Sequence, residues 1–184
     1  TRQLGYFRDY DVRKQLYRSV FAGGFGVAYG HHSIWQFYTA NVPKTSSPDR
    51  TWEEGLDRPG AFQAGFLKQL ILSRPSLNRE YCPEILLNNP GEENAFMTAF
   101  RDRSVGFAMV YSPVGGEIDL NLSWLRSPHI TTWWFNPRTG KAMPAGRLEK
   151  KDRLKFKSPS AGPGNDWVLV VDDARNRSKS PGLP

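Results

Sequence analysis

The feature that most limits the possible folds of this chain is a single short strand predicted between two amphipathic helices. Apolar residues recur every three to four positions from Asp9 or Asp11 to about Ala22, and again over residues 60–73, which predicts two helices with one apolar stripe each. Between them, residues 27–29 are typical of a short buried strand. A helix–strand–helix unit of this size cannot cover both faces of its strand. We therefore expect either unusual packing against the rest of the chain or membership of a larger α/β structure.

Polar and aromatic side chains follow this predicted strand directly after Gly30. Such a change, from a buried strand to hydrogen-bonding groups, is typical of a site at the carboxyl end of a strand in α/β enzymes. An indole can cover the C–H face of a sugar, while imidazole and amide groups reach its hydroxyls. The alternative is that Trp35 and Phe37 belong to the core and that His31 is a structural histidine. The candidate substrate-binding residues are His31, His32, Trp35 and Gln36.

The pattern changes in the second half of the chain. Residues 39–59 are a long loop, and residues 76–94, with Pro83, Pro90 and Gly91, are typical of a linker. After the linker come short strand-like runs with turn signals between them, which predict an antiparallel β-sandwich. These runs are residues 95–101, 106–112, 117–122, 130–136, 154–156 and 166–172, and a disordered basic tail is expected over 174–184.

Charge and composition argue against several classes of function. The net charge is +7, but the basic residues are scattered and match no nucleic-acid-binding motif, so we expect no nucleic-acid partner. No apolar run is long enough for a membrane span. Cys82 is the single cysteine, and adjacent histidines on an extended segment point in opposite directions, so His31 and His32 make a poor metal-chelating pair. We expect no metal site and no cofactor.

Several stretches of this sequence resemble one known family. The run YRSVFAGGFGVAYGHHSIWQFY resembles the end of the catalytic domain of apiosidase-like glycoside hydrolases, and PGAFQAGFLKQLILSRP resembles the last helix of their (β/α)8 barrel. The runs FRDRSVGFAMVYSPVGGEIDLNL, WWFNPRTG and DWVLVVDD resemble the β-sandwich that follows the barrel, which carries the family label "putative collagen-binding domain". The resemblance extends from about Asp11 to Asp173. One departure is Phe25-Gly26-Val27, where the family often has a small residue and a His or Thr.

The resemblance implies an α/β plus all-β fold, in which a helix–strand–helix part of a barrel precedes an antiparallel β-sandwich. Residues 1–75 would be the carboxyl-terminal part of the barrel, 76–94 a linker and 95–173 the sandwich. The catalytic carboxylates of such barrels sit on earlier strands, so no catalytic residue is expected in this chain. Glu53, Glu54 and Asp57 match no catalytic motif.

The function implied by the resemblance is that of the carboxyl-terminal portion of a glycosidase acting on plant or microbial polysaccharide. This portion would be inactive alone, would pack on the upstream barrel portion of the same protein, and would be secreted or periplasmic. The alternative is a non-catalytic module that presents Trp124, Trp133 or Trp134 to a carbohydrate or protein. Because strand residues alternate, Trp133 and Trp134 point to opposite faces, and we expect the one outside the core to be covered by the barrel.

Overall fold

The computed structural model describes residues 6–182, and β-strands dominate them. The α-helices are α1 (Asp9–Phe21), α2 (His32–Trp35), α3 (Trp52–Leu56) and α4 (Pro59–Leu72), and 3-10 turns span Pro83–Ile85, Glu93–Ala95 and Ala174–Asn176. The strands are β1 (Glu80–Tyr81), β2 (Thr98–Asp102), β3 (Phe107–Ser112), β4 (Gly115–Asn121), β5 (His129–Asn136), β6 (Lys141–Glu149), β7 (Arg153–Ala161) and β8 (Trp167–Asp173).

The strands form two antiparallel sheets that face each other. The larger has six strands in the order β1-β2-β3-β8-β5-β6, and the smaller pairs β4 with β7. Because β8 lies between β3 and β5, the last strand of the chain is central to the large sheet. The antiparallel sandwich expected from the sequence is therefore confirmed, with two additional strands, β1 and β6.

Both faces of the large sheet are covered, one by the small sheet and the other by helices, so its central strands have no exposed side. Alternate residues of β3 divide between two cores: Ala108 and Val110 face the small sheet, whereas Phe107, Met109 and Tyr111 face the helices. Helices α1 and α4 cover the second face with Tyr17, Phe21, Leu67 and Leu70. The Tyr17 and Tyr111 rings stack at 5.0 Å between centroids. The helical part of the chain thus packs directly on the sandwich.

A buried ion-pair network, called here the Arg13 network, joins the helices to the sheet. The Arg13 guanidinium on α1 donates to Asp166 at 3.0 Å, to Asp9 at 2.6 Å and to the side-chain oxygen of Gln63 on α4 at 2.7 Å. The Asp166 side chain is completely buried. A carboxylate in such surroundings requires a charged, hydrogen-bonded partner, and Arg13 supplies it.

A second buried pair fixes the carboxyl end of α4. Arg74 donates to both carboxylate oxygens of Asp172, at 2.7 and 2.8 Å, and also to the carbonyl oxygen of Lys179 at 2.8 Å. Residues 174–184 were expected to form a disordered tail, but Ala174–Asn176 form a 3-10 turn and Pro181 and Gly182 are buried. The difference arises because Arg74 binds a backbone carbonyl group, a contact that composition does not reveal.

Residues 27–29 do not form the expected buried strand. They have no strand conformation, and Val27 is 40% exposed. The physical reason is the lack of pairing, since none of the described residues supplies a neighbouring strand for this segment. An unpaired strand leaves its backbone groups without ladder partners, and solvent then satisfies them.

Residues 76–94, expected to be a linker, are largely integrated into the sandwich. Strand β1 pairs with β2, and Cys82 and Ile85 belong to the core between the two sheets. The backbone N–H of Leu87 donates to the carbonyl oxygen of Asp119 at 2.8 Å. Burial raises the pKa of the Cys82 thiol to about 12, so this cysteine is a small core residue rather than a reactive one.

The two adjacent tryptophans of β5 lie on opposite faces, as the alternation predicts. Trp134 is 5% exposed in the core between the sheets, where its ring meets that of Trp167 edge-on. Trp133 is half-buried against the core beneath the helices. Trp134 is therefore a core residue, and the helix-covered core takes up part of Trp133. Within residues 6–182, no helix has the length and apolar character needed to cross a membrane.

Candidate functional site

His31 has a structural role at the start of α2. Its Nδ1 atom accepts a hydrogen bond from the backbone N–H of Ser33 at 3.2 Å, so the imidazole caps this single helical turn. Partial burial, together with the positive charges of Arg50 and Arg58, lowers its pKa below the usual 6.5, and the nearby Asp49 opposes this shift. The neutral imidazole that accepts this hydrogen bond is therefore the favoured form at neutral pH.

Gln36 is occupied by the backbone of the following loop. Its side-chain nitrogen donates to the carbonyl oxygens of His32 at 2.6 Å and Thr45 at 2.9 Å, and its side-chain oxygen accepts from the Thr45 backbone N–H at 3.0 Å. This set of contacts uses both amide hydrogens. Gln36 therefore closes the loop between residues 36 and 45 and has no donor left for a ligand.

His32 and Trp35 remain accessible on the surface of α2. Their ring centroids are 6.2 Å apart, and Trp35 is 57% exposed. Phe37 is 67% exposed as well, so neither ring is buried within the described part of the chain. The structure thus divides the four candidate residues into a structural pair, His31 and Gln36, and an accessible pair, His32 and Trp35.

Two aromatic residues outside the predicted set form a second pair where α2 and α3 meet. The Phe37 ring meets that of Trp52 at the start of α3, edge-on, at 5.8 Å between centroids, and the Trp52 backbone N–H donates to Tyr38 at 2.9 Å. Trp52 lies within a long proline-containing loop, where periodicity gives no indication of its contacts. The aromatic surface is defined here as His32, Trp35, Phe37 and Trp52.

The acidic residues of this region do not form an evident catalytic pair. Glu54 accepts a hydrogen bond from the Thr51 backbone N–H at 2.9 Å and so completes the capping box of α3. Glu53 and Asp57 are exposed. Among residues 6–182, no group of three His, Cys, Asp or Glu side chains is arranged to hold a metal ion.

An apolar groove of about 420 Å³ lies between α4 and the irregular segment after α1. Phe25, Val27 and Tyr29 line one side, and Leu72 and other α4 residues line the opposite side. Phe25 is fully exposed and Leu72 is 61% exposed. Apolar surface of this extent, concentrated in one place, is typical of a region that another protein segment covers.

Comparison with known proteins agrees with these features. Residues 1–78 match the family model described as "Apiosidase-like, catalytic domain", and residues 83–172 match "Putative collagen-binding domain of a collagenase". No curated protein sequence matches the chain.

Two solved structures are similar to the chain over most of its length. One is named "Glycoside hydrolase", with 32% identity, a TM-score of 0.87, and coverage of 93% of this chain and 38% of the other. Another is a glycoside hydrolase family 5 protein from Bacteroides vulgatus ATCC 8482, with 28% identity, a TM-score of 0.89, and coverage of 98% and 40%. The chain is therefore similar to apiosidase-like glycoside hydrolases that carry a "putative collagen-binding domain", with the catalytic-domain match followed by the match to the appended domain.

Proposed function

We propose that this chain forms the carboxyl-terminal portion of a glycoside hydrolase acting on plant or microbial polysaccharide, and that it is inactive alone. The observation that carries this proposal is the pair of successive family matches, to a catalytic domain over residues 1–78 and to an appended domain over 83–172. The chain spans about two fifths of the length of the solved glycoside hydrolases, so the carboxylate pair required for hydrolysis would come from the remaining part of such a protein.

The upstream barrel portion of the same protein is the partner that we assign to the apolar groove. Phe25 and Val27 belong to the run that resembles the end of the catalytic barrel domain, and their exposure supports this assignment. Pairing with neighbouring strands would supply ladder partners for residues 27–29 and would cover the groove. Residues 1–75 are thus proposed to complete a barrel, and the sandwich to follow it.

We assign the sugar-contacting role to His32 and Trp35. Trp35 offers an accessible indole face for the C–H face of a sugar ring, and His32 beside it offers a hydrogen-bonding group for a hydroxyl. His31 and Gln36 are assigned supporting roles, because their hydrogen bonds hold α2 and the loop that follows it. This division narrows the four-residue site expected from the sequence to two ligand-contacting residues.

Substitution of Trp35 in the intact enzyme tests this assignment. We expect Trp35→Ala to weaken polysaccharide affinity by about 1–3 kcal/mol, the usual value for loss of a large apolar contact, and to change the melting temperature little. The matched control is Trp134→Ala, which removes a core tryptophan and should cost about 3–5 kcal/mol of stability. A large loss of stability in Trp35→Ala, with unchanged affinity, would contradict the assignment and identify this stretch as core.

A further inference from the structure

A second concave surface lies at one end of the sandwich. Three separate segments form it: the turn between β2 and β3, the loop between β4 and β5, and the residues after β8. We call it the arginine cleft, and it is an open cleft of about 470 Å³. Its main lining residues are Arg103, Trp124, Leu125, Arg126, Asp173 and Arg175.

The three arginines give the cleft a positive charge that its own carboxylate does not cancel. Asp173 binds Arg175 at 2.6 Å, and Arg103 binds Glu80 at 2.8 Å outside the cleft. Arg126 has no ion-pair partner among residues 6–182. One fully available guanidinium, flanked by two others with exposed side chains, favours a negatively charged ligand.

Backbone and side-chain hydrogen bonds join two of the three segments, the β2–β3 turn and the residues after β8, before any ligand arrives. The Asp173 backbone N–H donates to the carbonyl oxygen of Gly106 at 2.8 Å, and the Asn176 amide donates to Val105 at 2.7 Å. Gly106 has φ +85°, and a Cβ atom there would lie 3.1 Å from that of Asp173, so only glycine allows this close approach. This part of the cleft is therefore preorganised, which reduces the entropic cost of binding.

Trp124 forms the apolar part of the cleft. Its ring is half-buried, and the Arg101 guanidinium carbon lies 5.6 Å from the ring centroid. Arg101 is paired with Glu80 and Glu84 outside the cleft, so the available guanidinium groups are those that line the cleft with Trp124. An indole and arginines in one cleft suit a ligand that combines an apolar C–H surface with carboxylates, because arginine binds carboxylates through two parallel hydrogen bonds. A sugar acid has both features in one ring.

We propose that the arginine cleft binds a carboxylated saccharide, such as a uronic acid residue of an acidic polysaccharide. The choice of a saccharide over an acidic peptide rests on the proposed function of the chain, whereas the preference for an anion rests on the cleft itself. Arg126 would bind the carboxylate, Arg103 and Arg175 would add to the positive field, and Trp124 would contact the ring. The cleft would then keep an acidic polymer bound to the enzyme through residues other than those of the aromatic surface.

Calorimetric titration of the 184-residue chain with oligogalacturonate tests the proposal without any need for catalysis. We expect binding that weakens with salt, and little or no binding of a neutral oligosaccharide of the same length. Arg126→Gln should weaken oligogalacturonate binding about tenfold, the loss expected for a charge-assisted hydrogen bond. Arg126→Lys should retain part of the affinity, because it keeps the charge but not the paired donors.

The matched control is Lys157→Gln, which removes one exposed positive charge from the small sheet, outside the cleft. An equal loss of affinity in Lys157→Gln and Arg126→Gln would overturn the proposal, since it would show diffuse electrostatic attraction rather than a site. Equal or tighter binding of a poly-glutamate peptide, or no binding of oligogalacturonate, would also overturn it. Each of these outcomes leaves the proposed glycosidase function intact, because that function is tested at Trp35.

Discussion

At the scale of single residues, the protonation state of His31 controls whether α2 is capped. Its lowered pKa means that the unfolded segment binds a proton more readily than the folded one. The stabilising effect of the cap is therefore fully present above about pH 6.5, the ordinary histidine value, and is lost as the pH falls through the folded pKa.

We expect the Ser33 amide to lose hydrogen-exchange protection as the pH is lowered from about 8 to about 5, after correction for the intrinsic exchange rate. The measurement is amide exchange by NMR, with a titration of the His31 ring. His31→Asn is the control, because asparagine also caps helices but does not titrate in this range. If protection in the wild-type chain and in His31→Asn showed the same pH dependence, the cap would not be the cause.

Residue types alone identified the candidate site only in part. Histidine, tryptophan and glutamine side chains after Gly30 indicated a polar and aromatic cluster, and the structure brings His32 and Trp35 together. The hydrogen bonds of Gln36 to Thr45 depend on how the loop returns to α2, and no local pattern encodes that return. The partnership of Phe37 with Trp52 was missed for the same reason.

At the scale of secondary-structure elements, the Arg13 network attaches α1 to the large sheet. We expect Arg13→Met to lower the free energy of unfolding by about 3–5 kcal/mol, because the completely buried Asp166 side chain loses its charged partner. Urea denaturation of the chain measures this change. The double variant Arg13→Met with Asp166→Leu should recover much of the loss, since no unpaired buried charge remains.

A surface ion pair provides the control for this prediction. Lys155 and Glu117 pair at 3.0 Å with both side chains 58% exposed, so Lys155→Met should change the free energy of unfolding by less than about 1 kcal/mol. Similar effects of Arg13→Met and Lys155→Met would show that the Arg13 network does not hold α1 in place.

Elements with a regular apolar pattern were predictable, and those stabilised by distant partners were not. Helices α1 and α4 lie within about one residue of their expected positions, because each carries a stripe of apolar residues. Strand β6 was missed because it is a mostly exposed edge strand that contains Pro144 and Gly146, so its side chains do not alternate. The strand expected over residues 27–29 has a suitable apolar pattern but does not form, because no strand within residues 6–182 pairs with it.

At the scale of the whole molecule, the helices and the large sheet share the second of the two hydrophobic cores, the one that contains Tyr17 and Tyr111. The sequence indicates a sandwich over residues 95–173 that a linker separates from the helical part of the chain. In the structure, however, removal of α1 and α4 would uncover Phe100, Phe107 and Tyr111, and would leave Asp166 without Arg13. A large exposed apolar patch of this kind promotes aggregation.

We therefore expect a truncated chain of residues 83–173 to bind more hydrophobic dye and to aggregate more readily than the 184-residue chain. Size-exclusion chromatography with light scattering measures the difference. A protease cut within residues 39–51 of the intact chain should leave both pieces associated, because α1 and α4 each pack on the sheet. A folded, monomeric truncated chain would contradict the shared core.

This shared core also bears on how such proteins could be recombined. The boundary between the two family matches falls between residues 78 and 83, yet the packing of α1 and α4 on the large sheet crosses that boundary. A chimaera joined there would combine helices from one parent with a sheet from another, and the Tyr17–Tyr111 stack and the Arg13–Asp166 pair would both require compatible partners. A segment that keeps α1, α4 and the large sheet together should therefore be exchanged between such proteins more readily than the appended domain by itself.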